Sequence, residues 1–220
     1  MSRLLKHRGA FAFGHSSYRS LIAALAFFGA MADVSAQDLG LVPPACGWRC
    51  LETTHFNVLY SESQDSVAQR VANIAEAVHA QLVPFLRWSP DGPTSVIITD
   101  NTDQANALAT PLPHRTIALN LSQPVGEFGN YQDWLYEAMI HEYTHVLQTD
   151  MISGVPRFLG SVFGRLYLPN FIQPLHQIEG LAVYAESEFT GFGRNRSAYY
   201  NGVLRSFVNE NKWPALDQIT

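Results

Sequence analysis

The sequence predicts an α+β domain in which a small strand-bearing N-terminal lobe precedes a helical lobe. Short segments of alternating polarity, typical of strands, concentrate in the first half of the chain. Apolar residues spaced by three and four, typical of helices, dominate the second half and also separate two of the strands. With 47% hydrophobic and 15% charged residues, the composition is that of a globular protein long enough for one domain with a core.

Residues 1–36 have the features of an export signal and are excluded from the fold prediction. The start of the chain is basic, a short apolar run follows at Leu21–Met31, and an A-x-A-like site ends at Ala36. An uncleaved anchor is the alternative, but the apolar run is well short of the ~20 residues that a spanning helix needs. We therefore expect an exported protein, periplasmic or secreted, without a stable membrane span after removal of the leader.

The next segment, 37–51, contains the two cysteines of the chain, Cys46 and Cys50. In an exported protein an even number of cysteines favours a disulfide, and Gly47 gives the short loop between them the freedom to close one. Free thiols or a second metal site are the alternatives, although two cysteines alone do not close a tetrahedral zinc site. The disulfide would pin the start of the mature domain.

The first strand and the first helix of the domain are predicted from residue 52 onwards. Glu52–Ser61 alternates between apolar and polar residues and indicates a strand. From Val67 to Phe85 the apolar residues follow helical spacing, and Pro84 should kink or end this helix. The lone His79 beside the apolar stripe is expected at the surface or its boundary rather than at a metal.

Two further strands complete the predicted sheet. Thr94–Thr99 is a short apolar run typical of a buried strand, and Thr116–Leu121 is a third strand and a candidate for the sheet edge. The residues between them, 100–115, are rich in Asn, Asp, Thr and Pro, so the sequence predicts a loop.

The next predicted helix, which Asp133 or Asn130 can cap, carries a metal-binding pattern. His141 and His145 enclose Glu142 in the order H-E-x-x-H. On a helix the two histidines lie one turn apart on one face, so their imidazoles converge, and the glutamate stands about 100° round the axis. Two neutral imidazoles suit a zinc ion, and the carboxylate can take a proton from a water molecule beside it. The alternative is a surface helix that has these residues by chance.

A second helix, Gln177–Glu186, offers a third ligand. Glu179 would complete a His, His, Glu set and leave the fourth zinc position open. Gln148 and Met151 stand where the longer motif with a third histidine has glycine and histidine, which excludes that arrangement. His176, one turn before Glu179, is the weaker candidate for the same place.

The stretches HEYTHVLQ and IEGLAVYAE resemble the gluzincin metallopeptidases, and more closely the peptidase MA-like domains that often precede a β-propeller in secreted bacterial proteins. The resemblance covers roughly residues 52–220 and implies a thermolysin-like zincin fold, with zinc held by His141, His145 and Glu179 and with Glu142 as general base. Many gluzincins have an acid four residues after the glutamate ligand, where this chain has Val183. We expect a polypeptide substrate and no downstream propeller within the chain, with a β-propeller or envelope protein as a candidate partner.

Several other residues are candidates for supporting roles at this site. Glu137, one turn before His141, can accept the other ring N–H of that histidine and so orient it, and Glu186, on the helix of Glu179, can support the site. Each can instead be a solvated surface residue. The candidates for an oxyanion donor are three tyrosines, Tyr184, Tyr199 and Tyr200. Asn106 begins a segment similar to the Asn-Ala stretch that binds the substrate backbone in some gluzincins, and a loop asparagine that bonds its own turn is the alternative.

The remaining segments leave function less constrained. Ser153–Leu175 is predicted as a folded connector packed under or over the cleft, with a membrane-lying segment as the alternative, and Ser197–Val208 is predicted as a last helix. A net charge of −5 argues against a nucleic-acid partner. The predicted function is zinc-dependent peptide hydrolysis. The alternatives are a non-catalytic zinc-bearing interaction module of the cell envelope and a zinc hydrolase of a non-peptide amide or ester.

Overall fold

The computed structural model describes residues 47–101, 103, 105–124, 133–164 and 169–215, all within the structural unit Gly40–Thr220. The predicted export signal and Cys46 lie outside the described residues, so the leader and the disulfide stay predictions. Cys50 itself lies exposed in the first strand.

The described residues form a five-stranded sheet and five α-helices, which confirms the predicted α+β class. The strands are β1 (Trp48–Glu52), β2 (Phe56–Ser61), β3 (Thr94–Thr99), β4 (Ala107–Thr110) and β5 (Thr116–Asn120). The helices are α1 (Asp65–Leu86), α2 (Trp134–Asp150), α3 (Gly154–Phe163), α4 (Leu175–Thr190) and α5 (Ala198–Asn209). Short 3-10 helices, Pro169–Ile172 and Arg194–Arg196, precede α4 and α5.

The sheet has the strand order β1-β2-β3-β5-β4, in which the three central strands are parallel and each outer strand is antiparallel to its neighbour. This order corrects two predictions. β5 lies inside the sheet rather than at its edge, and the edge strand β4 lies in the segment 100–115 that the sequence predicts as a loop. All four residues of β4 are half-buried, so its Ala-Leu-Ala-Thr sequence has no alternation, and only pairing with β5 makes it a strand.

The core lies between one face of the sheet and the helices α1 and α2. Alternate residues of the three central strands point to this face because side chains in a strand alternate. These residues are Phe56, Val58, Tyr60, Val96, Ile98, Ile117 and Leu119. Each buried side chain of this kind stabilises the fold by roughly 1.5–3 kcal/mol, so the core anchors α2 firmly to the sheet.

The connector between α2 and α4 differs from its prediction in one respect. Its short helix α3 buries none of its residues, and the apolar side chains at helical spacing are exposed. These side chains are Val155, Phe158, Leu159, Val162 and Phe163. The later part of the connector does pack against the body, since the Asn170 amide donates to the carbonyls of Gln148 and Met151. No helix in the described ranges combines the length and apolar character that crossing a bilayer requires.

Candidate metal centre

Polar contacts at both ends of α2 hold the helix that carries the two histidines. Asp133 caps its start, because its side chain accepts a hydrogen bond from the N–H of Tyr136, as the sequence predicts. At the other end the buried Asp150 accepts hydrogen bonds from Arg115 at 3.0 Å and from the indole N–H of Trp88 at 2.9 Å. Removing one partner from a buried charged pair is costly, so these contacts fix where α2 lies.

Contacts in the middle of α2 fix its rotation. Tyr143 is fully buried against Phe56 of the sheet, and its hydroxyl lies 2.7 Å from Nδ1 of His79. Because Tyr143 is two residues from each motif histidine, roughly 200° round the helix, its burial turns both imidazoles away from the sheet and toward α4. The expectation that His79 lies at the surface is wrong, since this residue is buried and supports the tyrosine from α1.

The packing of α4 against α2 brings Glu179 to the two histidines. One ligand atom from each of His141, His145 and Glu179 lies within 4.8 Å of the others, so these residues could hold a metal ion. Nε2 of His141 is 3.1 Å from Nε2 of His145 and 3.4 Å from a Glu179 oxygen. The other Glu179 oxygen is 3.6 Å from Nε2 of His145.

These separations match a tetrahedral ligand set. Nitrogen and oxygen ligands about 2.0–2.1 Å from a metal stand roughly 3.3 Å apart along a tetrahedron's edge. The distance between the two Nε2 atoms is close to this value, and each histidine has one Glu179 oxygen at a similar distance, although the two oxygens differ. Burial, and to a smaller extent the charge of the neighbouring His141, lower the pKa of His145 to about 4. This imidazole is therefore in the neutral form that binds metals. Its Nδ1 is buried and has no hydrogen-bond partner among the described residues.

Glu186 orients His141. With Nε2 in the cluster, the Nδ1–H of His141 donates to Oε2 of Glu186 at 3.0 Å. Burial acts to raise the pKa of Glu186, but the hydrogen bond from His141 and the charge of Arg194 outweigh it, so the pKa lies below its ordinary value. Glu186 therefore stays ionised and can increase the basicity of the ligating imidazole.

Arg194 is a member of the site that the sequence pattern did not single out. Its guanidinium lies 3.2 Å from Oε2 of Glu186, and its backbone N–H also points at this carboxylate. The preceding Gly193 has φ +79°, and a Cβ there would lie 2.7 Å from the Ser187 side chain and 2.9 Å from its backbone. Only glycine allows this turn to pack so closely on α4. The Gly-Phe-Gly-Arg sequence is the one local feature from which Arg194 could have been singled out, but this sequence indicates a turn rather than a site.

Glu137 does not have the orienting role that was one of its two predicted possibilities. It is 3% exposed, and neither of its carboxylate oxygens has a hydrogen-bond partner among the described residues. Side chains on a helix lean toward its N-terminus, so Glu137 leans away from His141, whereas Glu186 approaches from a facing helix. The solvated-surface alternative is wrong as well, because the residue is buried.

Glu142 lines a cavity together with His141 of the cluster. Burial, and to a smaller extent Glu179, raise the pKa of Glu142 to about 7, although His141 and a hydrogen bond from the backbone of Ala109 oppose the rise. Ala109 belongs to the edge strand β4, so this strand borders the carboxylate. A carboxyl group that titrates near neutral pH can both accept and return a proton.

The cavity has a volume of about 220 Å³ and extends from the cluster along α2. Its lining residues are Ala105, Asn106, Ala107, Trp134, Glu137, Ala138, His141, Glu142, Glu186 and Arg194. Asn106 is thus at the site, where its carbonyl accepts a hydrogen bond from the backbone N–H of Asn120. The tyrosines do not line this cavity. Tyr184 stacks on Phe85, and Tyr199 and Tyr200 contact each other on α5.

Comparisons with known proteins place few constraints on this site. A stretch of 103 residues is 27% identical to an uncharacterized protein of Treponema pallidum (strain Nichols). The match covers 46% of this chain and only 10% of that much longer protein. No protein-family model matches the chain, and no solved structure matches it.

Proposed function

We propose that this protein is a zinc-dependent metallopeptidase with a thermolysin-like zincin fold. The observation that carries the proposal is the convergence of His141, His145 and Glu179 beside a cavity that also contains Glu142. The proposal includes a polypeptide substrate and an exported location, supported by the leader that residues 1–36 predict.

The ligand chemistry supports zinc. Two imidazole nitrogens and one carboxylate oxygen form the type of set that zinc hydrolases use, with the fourth position open to water or substrate. When bound there, zinc would polarise a substrate carbonyl and lower the pKa of a water molecule to about 7. His145 is neutral and His141 is oriented by Glu186, so the donors are prepared for such an ion.

Glu142 is the proposed proton carrier. Its carboxylate would take a proton from the attacking water and deliver it to the leaving amine, and a pKa near the working pH is best for both transfers. Its hydrogen bond to the backbone of Ala109 fixes the carboxylate next to the strand edge. A purely structural metal site, as in the interaction-module alternative, has no need for such a base.

The edge strand β4 supports a peptide rather than a small-molecule substrate. β4 pairs with β5 on one side, and its first residue, Ala107, and the preceding Asn106 line the cavity. An extended peptide can bind the outer strand of a sheet through main-chain hydrogen bonds and would thereby bring a peptide carbonyl to the zinc. A small-molecule amidase or esterase, the other alternative, would need no such edge.

Metal content and peptide cleavage, measured on the same samples, test the proposal. We expect one zinc per chain in the parent, in Glu188→Gln and in Glu142→Gln, little zinc in Glu179→Ala, and cleavage of a peptide library by the parent and Glu188→Gln only. Glu188→Gln is the matched control, because it removes an exposed carboxylate from α4, the same helix as Glu179. A folded parent that binds zinc but cleaves no peptide would contradict the peptidase assignment, and a folded parent without zinc would contradict the metal site.

A further inference from the structure

The cavity follows one face of α2 over more than two turns. Trp134, Glu137, Ala138, His141 and Glu142 all line it, at the spacing that places residues on a single helix face. With a rise of about 1.5 Å per residue, Glu137 lies roughly 6 Å along the axis from His141. The cavity thus extends along α2 from His141 and Glu142 to Glu137.

Glu137 is a buried carboxylate without a counter-ion of its own. Its two oxygens have no hydrogen-bond partner among the described residues, and the residue is only 3% exposed. The hydroxyl of Thr190 lies close enough to lower the pKa of Glu137, but its one hydrogen donates to the carbonyl of Glu186 at 2.7 Å, and the Glu137 oxygens lie outside hydrogen-bond geometry. A charged carboxylate in this situation costs free energy, so the ionised form of Glu137 would be stabilised by a hydrogen-bond donor that enters the cavity.

The other groups around Glu137 favour a cationic donor. The indole of Trp134 lines the same cavity one turn earlier, and its N–H donates to the carbonyl of Asn120. A cation that enters a cavity lined by an aromatic residue and a carboxylate is attracted by the quadrupole of the ring and by the charge of the carboxylate. Arg194 is close enough for its charge to lower the pKa of Glu137, but its guanidinium forms an ion pair with Glu186.

We propose that Glu137 and Trp134 form a subsite that binds a primary ammonium group of the peptide substrate next to the bond that is cleaved. The subsite rests on the proposed function and specifies the substrate class. An ammonium group at Glu137, one helical turn from His141, can come from the free N-terminus of a short peptide or from a lysine side chain. Both sources have the same chemistry at the carboxylate.

Equilibrium binding of three peptides to the zinc-supplemented Glu142→Gln protein tests the proposal. The first is tetra-alanine amide with a free N-terminus, the second is its N-acetylated form, and the third is the acetylated form with one lysine. We expect at least one of the two ammonium-bearing peptides to bind tenfold or more tightly than the acetylated tetra-alanine. The stronger of the two identifies the source of the ammonium.

The double variant Glu137→Gln, Glu142→Gln should reduce this preference to below twofold, whereas Glu188→Gln, Glu142→Gln should retain it. Equal affinity for the three peptides would overturn the subsite, as would a preference that persists after Glu137→Gln. Cleavage of acetylated tetra-alanine by the parent reports separately on the proposed function. If the parent cleaves peptides but the Glu142→Gln protein binds the three peptides equally, only the subsite is rejected. If the Glu142→Gln protein prefers an ammonium-bearing peptide but the parent cleaves none of the peptides, only the peptidase assignment is rejected.

Discussion

Replacing Glu137 by glutamine should change how the stability of the metal-free protein depends on pH. Burial, and next the charge of Glu186, raise the pKa of Glu137 from 4.5 to about 7 in the folded state. Between these two pH values the folded protein retains a proton that the unfolded chain has released. The parent therefore loses stability as the pH rises through this range, and the loss is complete above pH 7.

The size of the effect follows from the two pKa values. Each unit of difference corresponds to 1.36 kcal/mol, so the parent should lose about 3 kcal/mol at this residue between pH 4 and pH 8. Glutamine has nearly the same shape and does not titrate. Any cost of burying its amide is the same at both pH values, so it cancels in the comparison.

Urea unfolding in the presence of a chelator measures this difference. We expect Glu137→Gln to gain about 3 kcal/mol in its free energy of unfolding, relative to the parent, when the pH changes from 4 to 8. The exposed control Glu188→Gln should show a change close to zero. If Glu137→Gln behaves like this control, the carboxyl group is not buried without a partner, and the basis of the ammonium subsite is lost.

Three further predictions concern residues around the site. Glu186→Gln should weaken zinc binding roughly 10- to 100-fold in chelator competition, because His141 loses its charged acceptor, and unchanged affinity would contradict the orienting role. Gly193→Ala should lower the free energy of unfolding by about 1–3 kcal/mol, since its Cβ would collide with Ser187, and an unaltered urea midpoint would argue against this turn geometry. Burial, and to a smaller extent the charge of His55, lower the pKa of His79 in the folded protein. Below about pH 6.5 the unfolded chain takes up a proton at this residue before the folded protein does, so the parent should lose stability as the pH falls. His79→Gln should lose less over the same range, and an equal loss would show that another group is responsible.

The sequence determined the features that depend on neighbours along the chain. The spacing of His141 and His145 fixes both imidazoles on one face wherever a helix forms, because the helix repeat is a local property. The cap at Asp133 and the apolar spacing of α1 are local in the same sense, and the structure confirms both. The α+β class follows from the order of such segments.

Tertiary packing decided which of several similar residues reach the site. The sequence predicted Glu137 as a candidate to orient His141 and Glu186 as a candidate to support the site, and only the approach of α4 toward α2 brought Glu186 to the imidazole of His141. The same approach brought Glu179 to the histidines and left Glu137 unpartnered in the cavity. Spacing along one helix cannot distinguish between them, because the deciding contact joins two helices.

The edge strand and Arg194 depended on long-range contacts even more. β4 is a strand because β5 lies beside it, since the four residues have neither alternation nor strong strand preference. Arg194 reaches Glu186 because Gly193 permits a close turn against Ser187. The sequence alone thus determined the chemical groups and their local geometry, whereas the tertiary structure decided which of those groups meet, because contacts between distant segments depend on packing of the whole fold.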